Sequence, residues 1–386
     1  MNSSVSGHPA RLDPIPGILE ILDRAAMTGT NKLGLLLTLI DLAPALEGDA
    51  PSVTQTRIAK RYLEIHWEHA RPYPYGGRTV TLRQSSARKR RGDGTVADDT
   101  TAMQEIHGLR ELLECGDRGD LREKPLEIVE RRLDGTDLQS EWNEAFETAL
   151  AKVRANLLRN PVRLLQRLPG DPEPFLYDVT SDNSALTFLP GVAQSLTRFA
   201  GVLRPLIEFR FAQAVMRINR ESLQLPINDV YSHLFGRDRV MPSPKMREGL
   251  VEIQRGRCIF TNVRLSKTGG SLDHVVPWSR ARLSQVENFV MTTLSVNSSK
   301  SDSLPAPAAM ERWFQHIDTN SGELQECADE HGWLTDFDSV RRVALHIYRA
   351  LDASTGVWDF EHGIQPLGVD GKRAVLGLLS SPASST

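Results

Sequence analysis

The sequence predicts an α+β protein that is mostly helical and carries one small strand-containing unit near the C-terminal end of the chain. Apolar residues recur at helical spacing over much of the 386 residues. The clearest stripe is formed by Trp142, Phe146, Leu150, Val153 and Leu157. Between residues 258 and 305 this pattern is replaced by short apolar runs on either side of an adjacent Asp–His pair. Such short apolar runs are typical of strands.

Breaks in these patterns predict four regions. Residues 1–95 form an N-terminal helical module, and residues 96–245 form a helical scaffold. The strand-containing unit occupies residues 246–306, after two prolines that mark a boundary, and residues 307–386 form a C-terminal helical extension.

Turn residues and periodicity predict the individual elements. Two helices separated at residues 29–31 fill 18–46, and a third helix ends before Pro72. Residues 73–77 are predicted to form a turn, residues 78–83 a strand, and residues 171–187 a loop. Asn160 and Pro161 predict a helix start, and further helices are expected at 192–218, 308–317 and 339–351.

Bulk composition predicts a soluble, cytoplasmic protein with no membrane association. The composition is ordinary for globular proteins, with 40% hydrophobic and 25% charged residues, and no apolar run reaches the length of a membrane span. Cys115, Cys258 and Cys327 are far apart in the sequence, which argues against a disulfide framework.

Positive charge is concentrated in two windows although the net charge is −3. Residues 78–91 contain six basic residues and no acid, and residues 252–302 contain seven basic and four acidic residues. This distribution suits a polyanionic partner. Within the first window, Arg88, Lys89, Arg90 and Arg91 are candidate nucleic-acid contacts on a winged-helix-like module. The alternative is a helical scaffold with a basic surface loop.

Asp273 and His274 form the adjacent pair that carries the chemistry. Neighbouring residues of a strand point to opposite faces, so the carboxylate can bind a hard cation while the imidazole faces water or substrate. A histidine with a pKa near neutral can accept a proton from an attacking water.

The segment from residue 254 to 305 resembles the HNH (ββα-metal) nuclease family, and in particular the HNH domain of type II CRISPR nucleases. The resemblance rests on Asp273-His-Val-Val-Pro-Trp-Ser279, on Asn288 and Asn297 at 15 and 24 residues after Asp273, and on Lys300-Ser-Asp302 with Pro305. It implies that Asp273 and Asn297 ligate Mg²⁺ or Mn²⁺ and that His274 is the general base.

The same resemblance implies supporting roles. Asn288 would hold a loop by hydrogen bonds, and Lys300, one helical turn after Asn297, would lie near the scissile phosphate; the alternative is a solvated lysine. Arg280 and Arg282 would bind flanking phosphates, with an ordinary loop role as the alternative. Cys258 keeps only one of four positions at which many family members bind zinc, so no structural zinc is expected.

The resemblance therefore implies an endonuclease that hydrolyses DNA phosphodiester bonds, leaving 5′-phosphate and 3′-hydroxyl ends. Segments 188–192, 309–317 and 332–351 look similar to bacterial HNH proteins of anti-phage and restriction loci, which implies other defence proteins as further partners. The alternative is a catalytically silent HNH-fold subunit that binds DNA or a partner.

Overall fold

Helices dominate the computed structural model, which describes residues 13–24, 29–86, 89–90, 96–97, 99–168, 173–236, 241–266 and 270–380. The strands are short and form one three-stranded and several two-stranded antiparallel sheets. The mixed α+β class predicted from the sequence is confirmed, with helix as the main component.

Nine helices occupy the described part of the chain before residue 236. They are α1 (Pro14–Arg24), α2 (Asn31–Leu42), α3 (Gln55–His69), α4 (Thr101–Cys115), α5 (Leu126–Leu133), α6 (Gln139–Arg159), α7 (Pro161–Leu164), α8 (Val192–Asn219) and α9 (Ile227–Phe235). The predicted stripe of α6 is buried throughout, because its members share one face of the helix. The predicted break between α1 and α2 and the predicted start of α7 at Pro161 are also confirmed.

Short strands accompany these helices. They are β1 (Ser52–Thr54), β2 (Tyr73–Tyr75), β3 (Arg78–Val80), β4 (Lys89–Arg90), β5 (Val96–Ala97), β6 (Tyr177–Val179) and β7 (Ala185–Phe188). Gly76 and Gly77 join β2 to β3 with φ angles of 56° and 78°, which a two-residue hairpin turn requires. Of the residues predicted as a turn, 73–77, only the last two form one, because residues 73–75 form β2.

The loop predicted for residues 171–187 is wrong where β6 and β7 form. These strands pair with each other, and β7 also pairs with β1. Each strand is too short to show an alternating pattern in the sequence, and the partner β1 lies more than 130 residues away, as the 135-residue separation of Ser52 and Thr187 shows. The Ser-Asp-Asn-Ser run is the turn between β6 and β7.

The second half of the described chain starts with α10 and ends with α14. Its elements are α10 (Pro244–Ile253), β8 (Ser271–His274), β9 (Phe289–Thr292), α11 (Leu294–Lys300), α12 (Pro307–His331), α13 (Phe337–Ala350), β10 (Gly356–Asp359), β11 (Gly363–Pro366) and α14 (Val369–Ser380). The helices predicted at 308–317 and 339–351 correspond to α12 and α13.

The buried apolar side chains form two clusters. One cluster contains residues between 18 and 235, and the other contains residues between 246 and 379 together with Ile128 of α5. The division falls close to the predicted boundary at residue 245. Buried apolar residues of 246–306 and of the described part of 307–386 belong to one cluster, so the strand-containing unit and the C-terminal helices share a core.

The chain just after α11 is fastened to β10. Trp358 donates its backbone N–H to the Leu304 carbonyl and accepts from the Ala306 N–H, both at 2.7 Å. Its indole Nε1 donates to the Ser299 hydroxyl at 3.0 Å. Residues more than 50 positions downstream therefore fix the end of α11.

Among the described residues, no helix is long and apolar enough to cross a lipid bilayer.

Candidate active site

The predicted Asp–His pair lies at the end of β8, in an antiparallel hairpin with β9. Asp273 is opposite Val290 and His274 is opposite Phe289. All four residues of β9 are buried, because the hairpin is covered by the second core. Thr293 then accepts a hydrogen bond from the Val296 N–H and caps α11. The order strand, strand, helix thus places α11 beside the hairpin.

One face of β8 contacts α11. Ser271 and Asp273 are two residues apart and therefore point to the same side of the strand. The Asn297 side-chain Nδ2 donates to the Ser271 hydroxyl at 2.6 Å. This bond uses the nitrogen end of the amide and leaves the oxygen as the end that could ligate a cation. Asp273 and Asn297 are thereby assembled on the same face.

Lys300 is the buried cation of this face. Its ammonium lies 3.1 Å from Asp273 Oδ2 and donates to the His274 carbonyl at 2.7 Å. The side chain is 0% exposed. The alternative of a solvated lysine is therefore wrong. The lysine is the last residue of α11 and faces β8, where its charge offsets that of Asp273 and its hydrogen bond holds the backbone of the general-base candidate.

His274 projects from the opposite face of β8. Its ring is 4.9 Å from the Phe289 ring and 5.6 Å from the Trp278 ring, centroid to centroid. The residue is 7% exposed, and its ring lies beside aromatic side chains, of which Trp278 is half-buried. Opposite placement of the carboxylate and the imidazole follows directly from the strand geometry.

Asn288 closes a loop between β8 and β9, which we call the 276–283 loop. The Asn288 Oδ1 accepts from the Val276 N–H at 2.8 Å, and Nδ2 donates to the carbonyls of Val276 and Leu283 at 3.1 and 3.2 Å. The side chain is fully buried. The Asn288 side chain therefore joins both ends of the loop by hydrogen bonds. None of these bonds involves the Asp273 face of β8.

Arg280 and Arg282, on the 276–283 loop, both contact α8. Arg280 donates to the Arg198 carbonyl at 3.0 Å, and burial lowers its pKa. Arg282 donates to Glu208 Oε1 at 2.6 Å in a pair whose side chains are 8% and 7% exposed. These contacts give both arginines a role within the protein. Their binding to DNA phosphates stays a prediction.

The predicted basic cluster is only partly described. Arg88 and Arg91 lie outside the described residues, and for Lys89 and Arg90 only the backbone is described, as β4 paired with β5. The winged-helix-like interpretation of this region stays a prediction.

Two of the positions that the resemblance aligned with zinc ligands make structural contacts. Cys258 is buried in the second core and its N–H donates to the Val263 carbonyl. Thr293 caps α11. Within the described residues, no three His, Cys, Asp or Glu side chains are grouped closely enough to hold a metal ion.

The donor types at Asp273 and Asn297 fit a hard divalent cation. Carboxylate and amide oxygens are the ligands that Mg²⁺ and Mn²⁺ accept, and Mg²⁺ commonly keeps water and phosphate oxygens in the rest of its shell. One carboxylate on β8 and one amide on α11 are the donor types that such a cation accepts. The Lys300 ammonium is paired with the Asp273 carboxylate, so a divalent cation at Asp273 would have to share the carboxylate with it or displace it.

Sequence reasoning missed three contributors to this geometry. Ser271 could have been found, since it stands two residues before Asp273 on the same strand face. Trp278 was part of the quoted motif, but its contact with His274 depends on the folding of the loop. Glu208 gave no signal, because it lies 74 residues from Arg282.

Comparisons of the chain with models of protein families, with curated proteins and with solved structures give no match.

Proposed function

We propose that this protein is a metal-dependent endonuclease of the HNH type that hydrolyses DNA phosphodiester bonds with Mg²⁺ or Mn²⁺. The observation that carries the proposal is the arrangement around β8: Asp273 is on the face that contacts α11, Asn297 of α11 is hydrogen-bonded to that face, and His274 is on the other face. The resemblance of residues 254–305 to the HNH family assigns chemistry to the same three residues.

In the proposed reaction, the His274 imidazole accepts a proton from water as the water oxygen attacks phosphorus. The bond from phosphorus to the 3′ oxygen breaks, and that oxygen takes up a proton from solvent water, leaving a 5′-phosphate and a 3′-hydroxyl. A divalent cation bound through Asp273 and Asn297 would stabilise the negative charge that develops on the phosphate. Lys300 and Asn288 act as positioning residues, because the first holds the His274 backbone and the second holds the adjoining loop.

The test is cleavage of supercoiled plasmid by purified protein with Mg²⁺, Mn²⁺ or EDTA. We expect cleavage with either cation and none with EDTA. His274→Ala should lower the rate by about 10²–10⁴-fold, the usual contribution of a general base. DNA binding should persist, and the melting temperature should fall moderately, because the buried ring is removed from its contacts with Phe289 and Trp278. His362→Ala is the matched control, since that histidine is exposed and outside the site.

Asn297→Ala tests the metal-binding part separately. We expect the cation concentration for half-maximal rate to rise and activity to recover partly at high concentration. An unchanged cation dependence would remove Asn297 from the proposed ligand set. Undiminished cleavage by His274→Ala would remove the proposed base.

A second candidate function is a DNA- or partner-binding subunit of a defence complex that does not cut. The favouring observation is that the Lys300 ammonium lies against an Asp273 side chain that is only 7% exposed. A fixed cation at this carboxylate could replace a metal. Wild-type protein that binds DNA yet leaves plasmid intact with both cations would establish this candidate over the first.

A further inference from the structure

The 276–283 loop connects the candidate base to helix α8 of the other core. It begins two residues after His274, and Asn288 ties its two ends together. Its outer part reaches α8 through Arg280 and Arg282. Any movement of α8 against the hairpin must therefore deform this loop or break these contacts.

At the α8 end, Glu208 is held by two partners. Its Oε1 accepts from Arg282 at 2.6 Å, and its Oε2 accepts from the Tyr231 hydroxyl of α9 at 3.0 Å. Because both carboxylate oxygens are bound, the side chain has one orientation. Arg282 is accordingly fixed in position by two helices of the first core.

At the other end, Arg282 lies over an aromatic ring that contacts the base. The guanidinium carbon is 5.7 Å from the centroid of the Trp278 ring, within cation–π range. The Trp278 ring is 5.6 Å from the His274 ring, and Phe289 covers another side of the imidazole at 4.9 Å. Trp278 is half-buried, so its ring needs a neighbour to keep one orientation.

We propose that Glu208 and Arg282 are positioning residues for His274, and that they act through Trp278. The inference rests on the proposed nuclease function, and it assigns to the helical first core a role in setting the general base. A small misplacement of a reacting group can lower a rate by about 100-fold, so this contact can control activity without touching DNA.

The alternative explanation of the Glu208–Arg282 pair is simple adhesion between the two cores. Replacement of a buried ion pair by apolar residues is often neutral or stabilising, so adhesion alone does not require charge here. An ion pair with defined hydrogen-bond geometry fixes the orientation of a guanidinium group, whereas an apolar contact does not.

The experiment compares Arg282→Met and Trp278→Leu with Arg204→Met. Arg204 is the control on α8, because it is buried and its ion-pair partner is Asp41 of α2 rather than a residue of the 276–283 loop. Trp278→Leu leaves the Glu208–Arg282 pair in place, so it tests the same path if Arg282→Met folds poorly. Rates are measured well below each melting temperature.

We expect kcat to fall about 10–100-fold in the two loop variants, with KM for DNA and the cation dependence unchanged. Trp278→Phe should restore most of the rate, because it keeps an aromatic ring. Arg282→Lys should restore it only in part, because lysine keeps the charge but lacks the planar guanidinium group. Arg204→Met should lose stability and keep kcat. A raised KM with unchanged kcat in Arg282→Met would instead show that Arg282 binds phosphate. An equal loss of kcat in Arg204→Met would show a general packing effect. Either result overturns the proposal.

A second readout separates this inference from the proposed function. In protein labelled with ¹³C-histidine, the ring signal of His274, assigned with His274→Gln, senses the ring current of Trp278. We expect it to move in Arg282→Met and to stay in Arg204→Met. If wild-type protein fails to cut DNA, the nuclease proposal fails while this spectrum still decides the positioning role. An unmoved signal in Arg282→Met overturns it.

Discussion

Asp41 in the helical first core and Asp273 in the β8–β9 hairpin are two buried carboxylates with different surroundings. The Asp41 oxygens are each bound by an arginine, Arg204 at Oδ1 and Arg61 at Oδ2. Burial alone would raise the pKa of Asp41, but the two arginines hold it below its usual range. Asp273 has one buried lysine, which also binds the His274 carbonyl.

The difference shows how the partners of a buried aspartate can commit it to a structural role or leave it able to bind an ion. Two planar guanidinium groups saturate the carboxylate of Asp41 in a fixed geometry, which leaves it no other task. A single ammonium is a point charge that a divalent cation can displace or share. We therefore expect removal of charge at Asp41 to affect folding, and charge changes at Asp273 to affect ion binding.

The largest effect is expected for Asp41→Ala. This change leaves Arg204 as a buried charge without its carboxylate and leaves Arg61 paired with Glu64 alone. Breaking a buried ion pair in this way destabilises proteins by about 3–5 kcal/mol. Urea unfolding measures the loss. Asp338→Ala is the matched control, because Asp338 is 63% exposed in its pair with Arg341 and should change stability by less than about 1 kcal/mol. Similar losses for both would contradict the contrast.

Lys300→Met should destabilise the protein by about 3 kcal/mol in EDTA, because Asp273 loses its buried partner. Mn²⁺ should raise the melting temperature of this variant more than that of the wild type, since the cation no longer competes with the ammonium. Lys152→Met, at an ion-paired lysine that is 54% exposed, serves as control. Equal responses of the wild type and Lys300→Met to Mn²⁺ would refute the idea of an exchangeable cation.

Asn288→Ala should lower the free energy of unfolding by about 2 kcal/mol, because it leaves buried backbone groups of Val276 and Leu283 without partners. Thermal unfolding measures the effect. Gln365→Ala removes an exposed side-chain hydrogen bond and should be nearly neutral. A neutral Asn288→Ala would mean that the loop is held by its contacts with α8 alone.

The smallest effect concerns pH and the first core. Burial lowers the pKa of His66 to about 4, against 6.5 in the unfolded chain. The unfolded state therefore takes up a proton first, and the stabilising contribution that is present above pH 6.5 is lost as pH falls towards 4. Between pH 7 and pH 5 this loss is about 2 kcal/mol.

The measurement is the stability gap between wild type and His66→Phe at pH 7 and pH 5. A difference between proteins is needed because other buried groups titrate in the opposite sense: burial raises the pKa of Glu127 to about 7 and that of Asp99 to about 6. The gap should move by about 2 kcal/mol in favour of the variant at pH 5. The exposed His362→Phe should show no such change, and a constant gap for His66→Phe would disprove the assignment.

Local patterns made part of this fold predictable. Helices such as α6 and α8 follow from apolar periodicity, and the start of α7 follows from Pro161. The three-stranded sheet could not be predicted, since its strands are too short to show alternation and β1 pairs with β7 across more than 130 residues. At the candidate site, strand alternation was enough to separate Asp273 from His274.

Long-range packing set the rest of the site. The sequence suggested a solvated Lys300 as one alternative, but burial of this lysine depends on how α11 docks on β8. Likewise, Arg282 has a helix partner because α8 passes beside the 276–283 loop, and no periodicity encodes that approach. Tertiary contacts thus decide whether a basic residue near the site faces nucleic acid or protein.

The bridge between Trp358 and the segment after α11 bears on how a nascent chain would mature. Trp358 forms hydrogen bonds with Leu304, Ala306 and Ser299. The end of α11 therefore lacks these contacts while residues beyond 350 are still inside the ribosome. Domains fold during synthesis as their contacts emerge. Assembly of Lys300 against Asp273 therefore waits until residue 358 has emerged, which delays any chemistry at this hairpin until the helical first core has been made.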